Sequence, residues 1–179
     1  MKQQDKDMSI IHHITIKQNG VIIMEKKSLE KFKIIIPVAI ILAIIIGIIA
    51  YKSIFITLPF NAKIKSDDDF VITRSQEKLL IEYYKDMAKY YNGIVTKKYS
   101  LDEIPDKCLD AWEELEEEKD SIWDEEEHAE YVLNSSRAMW MHSQINGIIA
   151  EYNNRILDEG EAKKEIKKEI KEAIKENLR

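Results

Sequence analysis

IIIPVAIILAIIIGIIA, residues 34–50, carries no charge and is framed by Lys31 and Lys33 before it and Lys52 after it. A helix needs about 20 mostly apolar residues to cross a hydrocarbon core. The run reaches that length if Lys52 snorkels its ammonium to the interface and SIFITL, residues 53–58, completes the far end. Residues 34–58 are therefore expected to form a transmembrane anchor. A removable secretory signal has an apolar region of roughly 7 to 15 residues and a small-x-small cleavage site. This run is longer, and a cut after Ala50 would place bulky Ile48 where a small residue is preferred. Cys108, the sole cysteine, is too distant to serve as a lipoprotein anchor. Pro37 falls in the first turn of the run, where a missing backbone N–H costs little. Ala39, Ala43 and Gly47, four apart, read either as a small-xxx-small dimerisation face or as filler facing lipid.

Basic residues near the two ends set the expected orientation. Lys26, Lys27, Lys31 and Lys33 crowd the first end, whereas Lys52, Lys63 and Lys65 are sparser on the second. This bias predicts a single-pass protein of the cell membrane, with a cytoplasmic amino-terminal segment, residues 1–33, and the larger carboxy-terminal part outside. Within the first segment, His13 to Met24 alternates loosely around Asn19-Gly20, a two-residue hairpin signal, but an isolated hairpin is marginal in water. Met24-Glu-Lys-Lys27 has the form of a start that places a basic region directly before the apolar run. Codons for Gly20-Val21 can spell a ribosome-binding purine run a short spacer upstream, so translation is expected to begin also, or instead, at Met24.

Charge is divided along the chain. Residues 1–61 carry 8 lysines and 4 acids, net +4, whereas residues 62–179 carry 19 basic and 29 acidic residues, net −10. Phosphates would be repelled by so acidic an outer part, which argues against nucleic acid as a partner. One cysteine allows no intramolecular disulfide, so the fold must rest on its apolar core or on association. Cys108 reads as a buried, inert thiol in preference to a cross-link between chains.

Apolar spacing after the anchor is helical, so the fold class is all-α. Residues 59–74 read as a stalk, polar from Asn61 to Phe70 and carrying Asp67-Asp-Asp69 near the end of that polar stretch. Residues 75–158 are expected to form a three-helix bundle. Its first helix starts near Thr73 or Ser75, both good caps, and presents Leu80, Tyr84, Met87, Tyr91 and Ile94 on one face. Ser100-Leu-Asp-Glu103 has the form of a capping box, with Pro105 as a first-turn proline. A second helix from Asp106 to about Trp123 buries Cys108, Trp112, Leu115 and Ile122 and leaves Glu113, Glu114 and Glu116 to Glu118 outside. The third is expected from Asp124 to about Asp158, with a face of Tyr131, Ala138, Met141 or His142, Ile145, Ile148, Tyr152 and Ile156. Leu133 and Trp140 start a second stripe on it, which implies contact with more than one neighbour. Residues 160–179 read as a charged amphipathic helix, loosely docked. Its Ile166, Ile170, Ile174 and Leu178 are four apart, a stripe that drifts around a helix of 3.6 residues per turn and does not suit a heptad coiled coil.

Two function classes follow. Tyr83, Tyr84, Tyr90 and Tyr91 occupy two turns of the first helix, wider than one buried stripe requires, so half of them are expected at the surface, where aromatics favour interfaces. That reading makes the chain a non-catalytic interaction module (scaffold, inhibitor or sensory partner) for another protein, with no cofactor and with homo-oligomers allowed through the anchor or the tyrosines. The alternative is a membrane-tethered metal-binding or oxidoreductase bundle. Glu125-Glu-Glu-His128 has the Glu-x-x-His spacing of di-iron bundles, and Glu82 supplies a carboxylate from the first helix. The motif is incomplete, because His142 has Met139 where a second Glu is needed. Acids in a first turn also simply complement the helix dipole. No Gly-rich phosphate loop, nucleophile elbow or calcium loop is present.

Overall fold

The computed structural model describes residues 35–66, 72–123 and 128–179. The described chain is all-helical, with five helices and no strands: α1 (Ile35–Ile54), α2 (Arg74–Val95), α3 (Asp106–Ser121), α4 (Ala129–Asn153) and α5 (Glu159–Asn177). It divides into two compact units, residues 1–51 and 52–179, so the last three residues of α1 belong with the second. Every residue of α1 is exposed, and the helix is long and apolar enough to cross a membrane. A helix that is apolar all round is stable only where something apolar surrounds it.

In the second unit α2 touches α3, α4 and α5. It starts at Thr73, whose Oγ1 accepts a hydrogen bond from the Gln76 N–H (3.3 Å) while Gln76 Oε1 accepts one from the Thr73 N–H (3.1 Å). This capping box satisfies two groups that a helix start otherwise orphans. The expected face, Leu80, Tyr84, Met87, Tyr91 and Ile94, is buried, and Tyr83, Ala88 and Tyr90 extend burial around the helix. The helix ends where Lys97 takes a positive φ of 60° and the Tyr99 ring folds back onto Gly93. A Cβ at Gly93 would collide with that ring, so the close approach requires glycine there.

α3 begins where expected, whereas the helix after it ends earlier than expected. Ser100 Oγ reaches Glu103 Oε2 (3.4 Å), but over a turn, and α3 begins at Asp106 with Pro105 as its N-cap. Proline forces the residue before it out of the helical region, so a helix capped at Ser100 could not run through Ile104. The next helix, α4, stops at Asn153, not near Asp158, and Arg155 beyond it takes φ 60°. Asp158 instead starts α5: its Oδ1 accepts from the Glu161 N–H (2.8 Å), and Glu161 Oε2 accepts from the Asp158 N–H (3.0 Å). Ile156, placed on the buried face by its spacing, lies in this connection and is exposed. The expected start of the third helix, Asp124, lies outside the described residues.

The last helix is not loosely docked. Ala162, Ile166, Ile170, Ile174 and Leu178 are buried in the same core as α2, α3 and α4, and the most extensive contact of α5 is with α4. A four-residue repeat drifts by about 40° per step, or about 120° over the three steps from Ile166 to Leu178. An apolar stripe of that width is ordinary for a surface helix. The drift therefore spreads the isoleucines over one broad face, which lies on two neighbours.

Residues 59–66, expected within a stalk, are packed too. The chain leaves α1 and runs as a strap, residues 55–66, along α2 and the end of α5. Ile56 is held by one side chain: its N–H donates to Asn92 Oδ1 and its carbonyl accepts from Asn92 Nδ2, both at 2.8 Å. Farther on, the Ile64 N–H donates to Glu77 Oε1 (3.2 Å). The Lys63 N–H donates to the Arg179 carbonyl (3.0 Å), the Arg179 N–H to the Lys63 carbonyl (2.9 Å) and the Lys65 N–H to the Asn177 carbonyl (2.8 Å). Ile56 and Ile64 are buried, so the strap contributes to the core. Lys167 and Lys171 donate to the carbonyls of Ser53 and Lys52, groups that the end of α1 would otherwise leave without a helical partner.

Burial of α5 makes a direct prediction. Ile170→Ala should destabilise the second unit by about 2–5 kcal/mol, whereas Lys168→Ala should stay within about 0.5 kcal/mol of the parent. Denaturant titration followed by near-ultraviolet circular dichroism checks both, and an Ile170→Ala effect as small as that of Lys168→Ala would restore a loosely attached helix.

Candidate functional site

The tyrosines singled out by sequence are core residues. Tyr83, Tyr84 and Tyr90 are fully buried and Tyr91 is 5% exposed, so the expectation that half of them face solvent is corrected. Contact of α2 with three other helices leaves no free side for its aromatics. Tyr83 sits edge-on to Tyr84, and the Tyr90 hydroxyl donates to the Leu101 carbonyl (3.0 Å). Burial holds the phenols above their ordinary value, which keeps them neutral.

A polar knot is built around one of them. Tyr83 Oη and His142 Nδ1 share a hydrogen bond of 2.9 Å across α2 and α4, and Trp112 of α3 stacks on the imidazole at 5.2 Å and 12°. Burial lowers the His142 pKa, so the ring is neutral and serves as a hydrogen-bonding core residue. Cys108 is buried, and desolvation first, then Asp86, push its thiol up to about 12. A thiol so far from ionisation is a poor nucleophile, in keeping with the buried, inert thiol expected from the sequence.

Of the metal-site candidates, Glu125 lies outside the described residues. His128 Nδ1 is 3.3 Å from Gln76 Nε2, and that same amide nitrogen donates to Glu118 Oε1 (3.4 Å). Glu82 is exposed and pairs with Lys78 at 4.0 Å. Among the described residues no group of three His, Cys, Asp or Glu side chains is arranged to hold a metal ion.

What the structure does bring together is a groove of about 420 Å³ between α4 and α5. Leu133, Arg137 and Trp140 form the α4 wall, and Glu169, Glu172 and Glu176 form the α5 wall. α4 touches α2, α3 and α5, as its two stripes implied, but Trp140 is 62% exposed and Leu133 46%, so the second stripe is only partly covered. Arg137 Nη1 donates to Asn177 Oδ1 (3.4 Å) at one end. Lys168 lies 3.6 Å from Glu169, while Glu172 and Glu176 form no ion pair among the described residues. The groove thus sets an exposed indole beside two free carboxylates. Sequence reading had one of its signals, the Leu133–Trp140 stripe. The acidic wall escaped it, because only the docking of α5 puts those glutamates opposite Trp140.

Comparison with protein-family models, curated proteins and solved structures finds no match to this chain. Function therefore has to be argued from the residues alone.

The His142 environment gives the site a measurable pH signature. With the folded pKa below the ordinary value of 6.5, the unfolded chain takes up the proton first as pH falls. Stability from this group is complete above pH 6.5 and declines below it, by at most about 1.4 kcal/mol per pH unit. His142→Phe should flatten that part of the profile relative to the parent chain. Unfolding free energies taken across this range check it, and identical slopes in the two proteins would contradict a buried neutral imidazole.

Proposed function

We propose that this chain is a single-pass membrane protein whose α2–α5 unit is an extracytoplasmic, non-catalytic interaction module for another protein. The observation that carries the reading is the α4–α5 groove, where Trp140 and Leu133 lie exposed beside Glu172 and Glu176. Isolated exposed apolar residues need no explanation, but a large indole inside a concave, one-sided charged groove has the make-up of a binding hot spot. The partner that fits is a basic amphipathic helix, with its apolar face on Leu133 and Trp140 and its lysines or arginines toward Glu172 and Glu176. Electrostatic attraction from a unit of net charge −10 over residues 62–179 would speed that encounter.

Membrane attachment is supported by the length and apolarity of α1, and the orientation by the lysine excess before it. The buried phenols and unreactive Cys108 offer little to an enzymatic reading, and the partner need not bring a reaction with it.

Photo-crosslinking tests this in living cells, with benzoylphenylalanine replacing Trp140. A discrete adduct with another protein is expected, and Glu172→Lys with Glu176→Lys should abolish it. In a purified pair, Trp140→Ala should weaken binding by about 2 kcal/mol or more, roughly 30-fold in Kd. No protein adduct, or only an adduct of twice the 21.0 kDa chain mass, would contradict a heterologous partner. A membrane-impermeant maleimide should label Ser143→Cys in intact cells, and labelling only after permeabilisation would contradict the orientation.

A further inference from the structure

The second unit is acidic, yet its cations are not scattered. Residues 52–66 hold Lys52, Lys63 and Lys65 and no acid. Beside this strap a cleft of about 640 Å³ is lined by Arg74, Lys78 and Lys85 of α2, with Pro59 and Ala62 of the strap opposite them. All three cations are exposed. Of the carboxylates there, Glu77 accepts the Ile64 N–H with Oε1, and Glu82 sits 4.0 Å from Lys78. Asn61 takes φ 56° next to Phe60, and Phe60 is 95% exposed, the most solvent-facing large apolar side chain of the described unit.

Position along the chain says what this face meets. Five residues separate Ile54, the end of α1, from Phe60, so Phe60 lies within about 21 Å of the end of α1 even on a fully extended path. An exposed aromatic on a lysine-bearing strap, next in the chain to residues that line an arginine- and lysine-walled cleft and at that distance from a span, matches the chemistry of a bilayer interface: acyl chains for the ring and lipid phosphates for the cations. We propose that the second unit seats its strap face on the anionic headgroups of the bilayer, with Phe60 inserted and Arg74, Lys78 and Lys85 against lipid phosphates. The inference rests on α1 being inserted, and it is separate from the α4–α5 groove. It turns the domain from a body hanging free into one lying on the membrane with a fixed side down.

The test uses the full chain in lipid nanodiscs, with Cys108→Ala as background and a nitroxide attached to Phe60→Cys, or to Ser143→Cys as the solvent-facing reference. In phosphatidylglycerol discs the label at 60 should lose most of its collisional accessibility to a water-soluble nickel chelate, relative to the label at 143. That protection should disappear in phosphatidylcholine discs and in the R74Q/K78Q/K85Q variant, and it should persist in K78R/K85R. Equal accessibility of the two labels in phosphatidylglycerol would overturn the seat, as would equal protection at 60 in both lipids. A chain that does not enter the discs at all would overturn the inserted α1 and the seat together.

Discussion

Asn92 holds the key connection of this fold. Its amide donates to the Ile56 carbonyl and accepts from the Ile56 N–H, both at 2.8 Å, as a neighbouring strand would. Where an extended segment is buried, as this strap is at Ile56 and Ile64, its backbone N–H and C=O groups need partners, and the strap has no sheet to join. It draws instead on a side-chain amide at one end and on Glu77 and the chain's last residues at the other. Release of Asn92 would leave buried polar groups unpaired, at about 1–3 kcal/mol each.

Other features depend on the strap being fixed. The carboxy terminus closes over it through Lys63 and Arg179, so α5 is held at its last turn as well as along its buried isoleucines. Lys167 and Lys171 can reach the carbonyls of Ser53 and Lys52 only because α5 is packed there. Burial first and then Lys171 hold the Lys167 ammonium below its ordinary pKa, a local cost that the carbonyl contact helps offset. On the other side of α5, the same docking sets Glu172 and Glu176 opposite Trp140 and so creates the groove.

Much of this was legible in the sequence where periodicity is strong. The apolar run that became α1, the Leu80 to Ile94 face of α2 and the buried Cys108 and Leu115 of α3 follow from spacing alone. What escaped was set by contacts distant in the chain. Ile64 is an isolated apolar residue in a polar stretch, and Ile56, expected at the far end of the anchor 34–58, instead lies in the helical core and finds its partner 36 residues away. The four tyrosines wrap more of α2 than one stripe because that helix has three neighbours, a fact of tertiary packing that no local pattern encodes. The tetrads of α5 suggested a solvated helix since lysine and glutamate dominate them, but a drift of about 40° per step still leaves one broad apolar face. Leu133 and Trp140 were visible as a stripe, whereas their exposure in the groove beside α5 was not.

Residues 55–66 form a strap packed against the second unit, not an unpacked stalk. Amide hydrogen exchange of the full chain in nanodiscs, read at Ile56, Lys63, Ile64 and Lys65, tests it most directly. The hydrogen bonds described here predict protection at these four amides comparable to that in the middle of α2. Exchange at the rate of an unstructured peptide, while α2 remains protected, would contradict the packed strap and return these residues to the role of a flexible stalk.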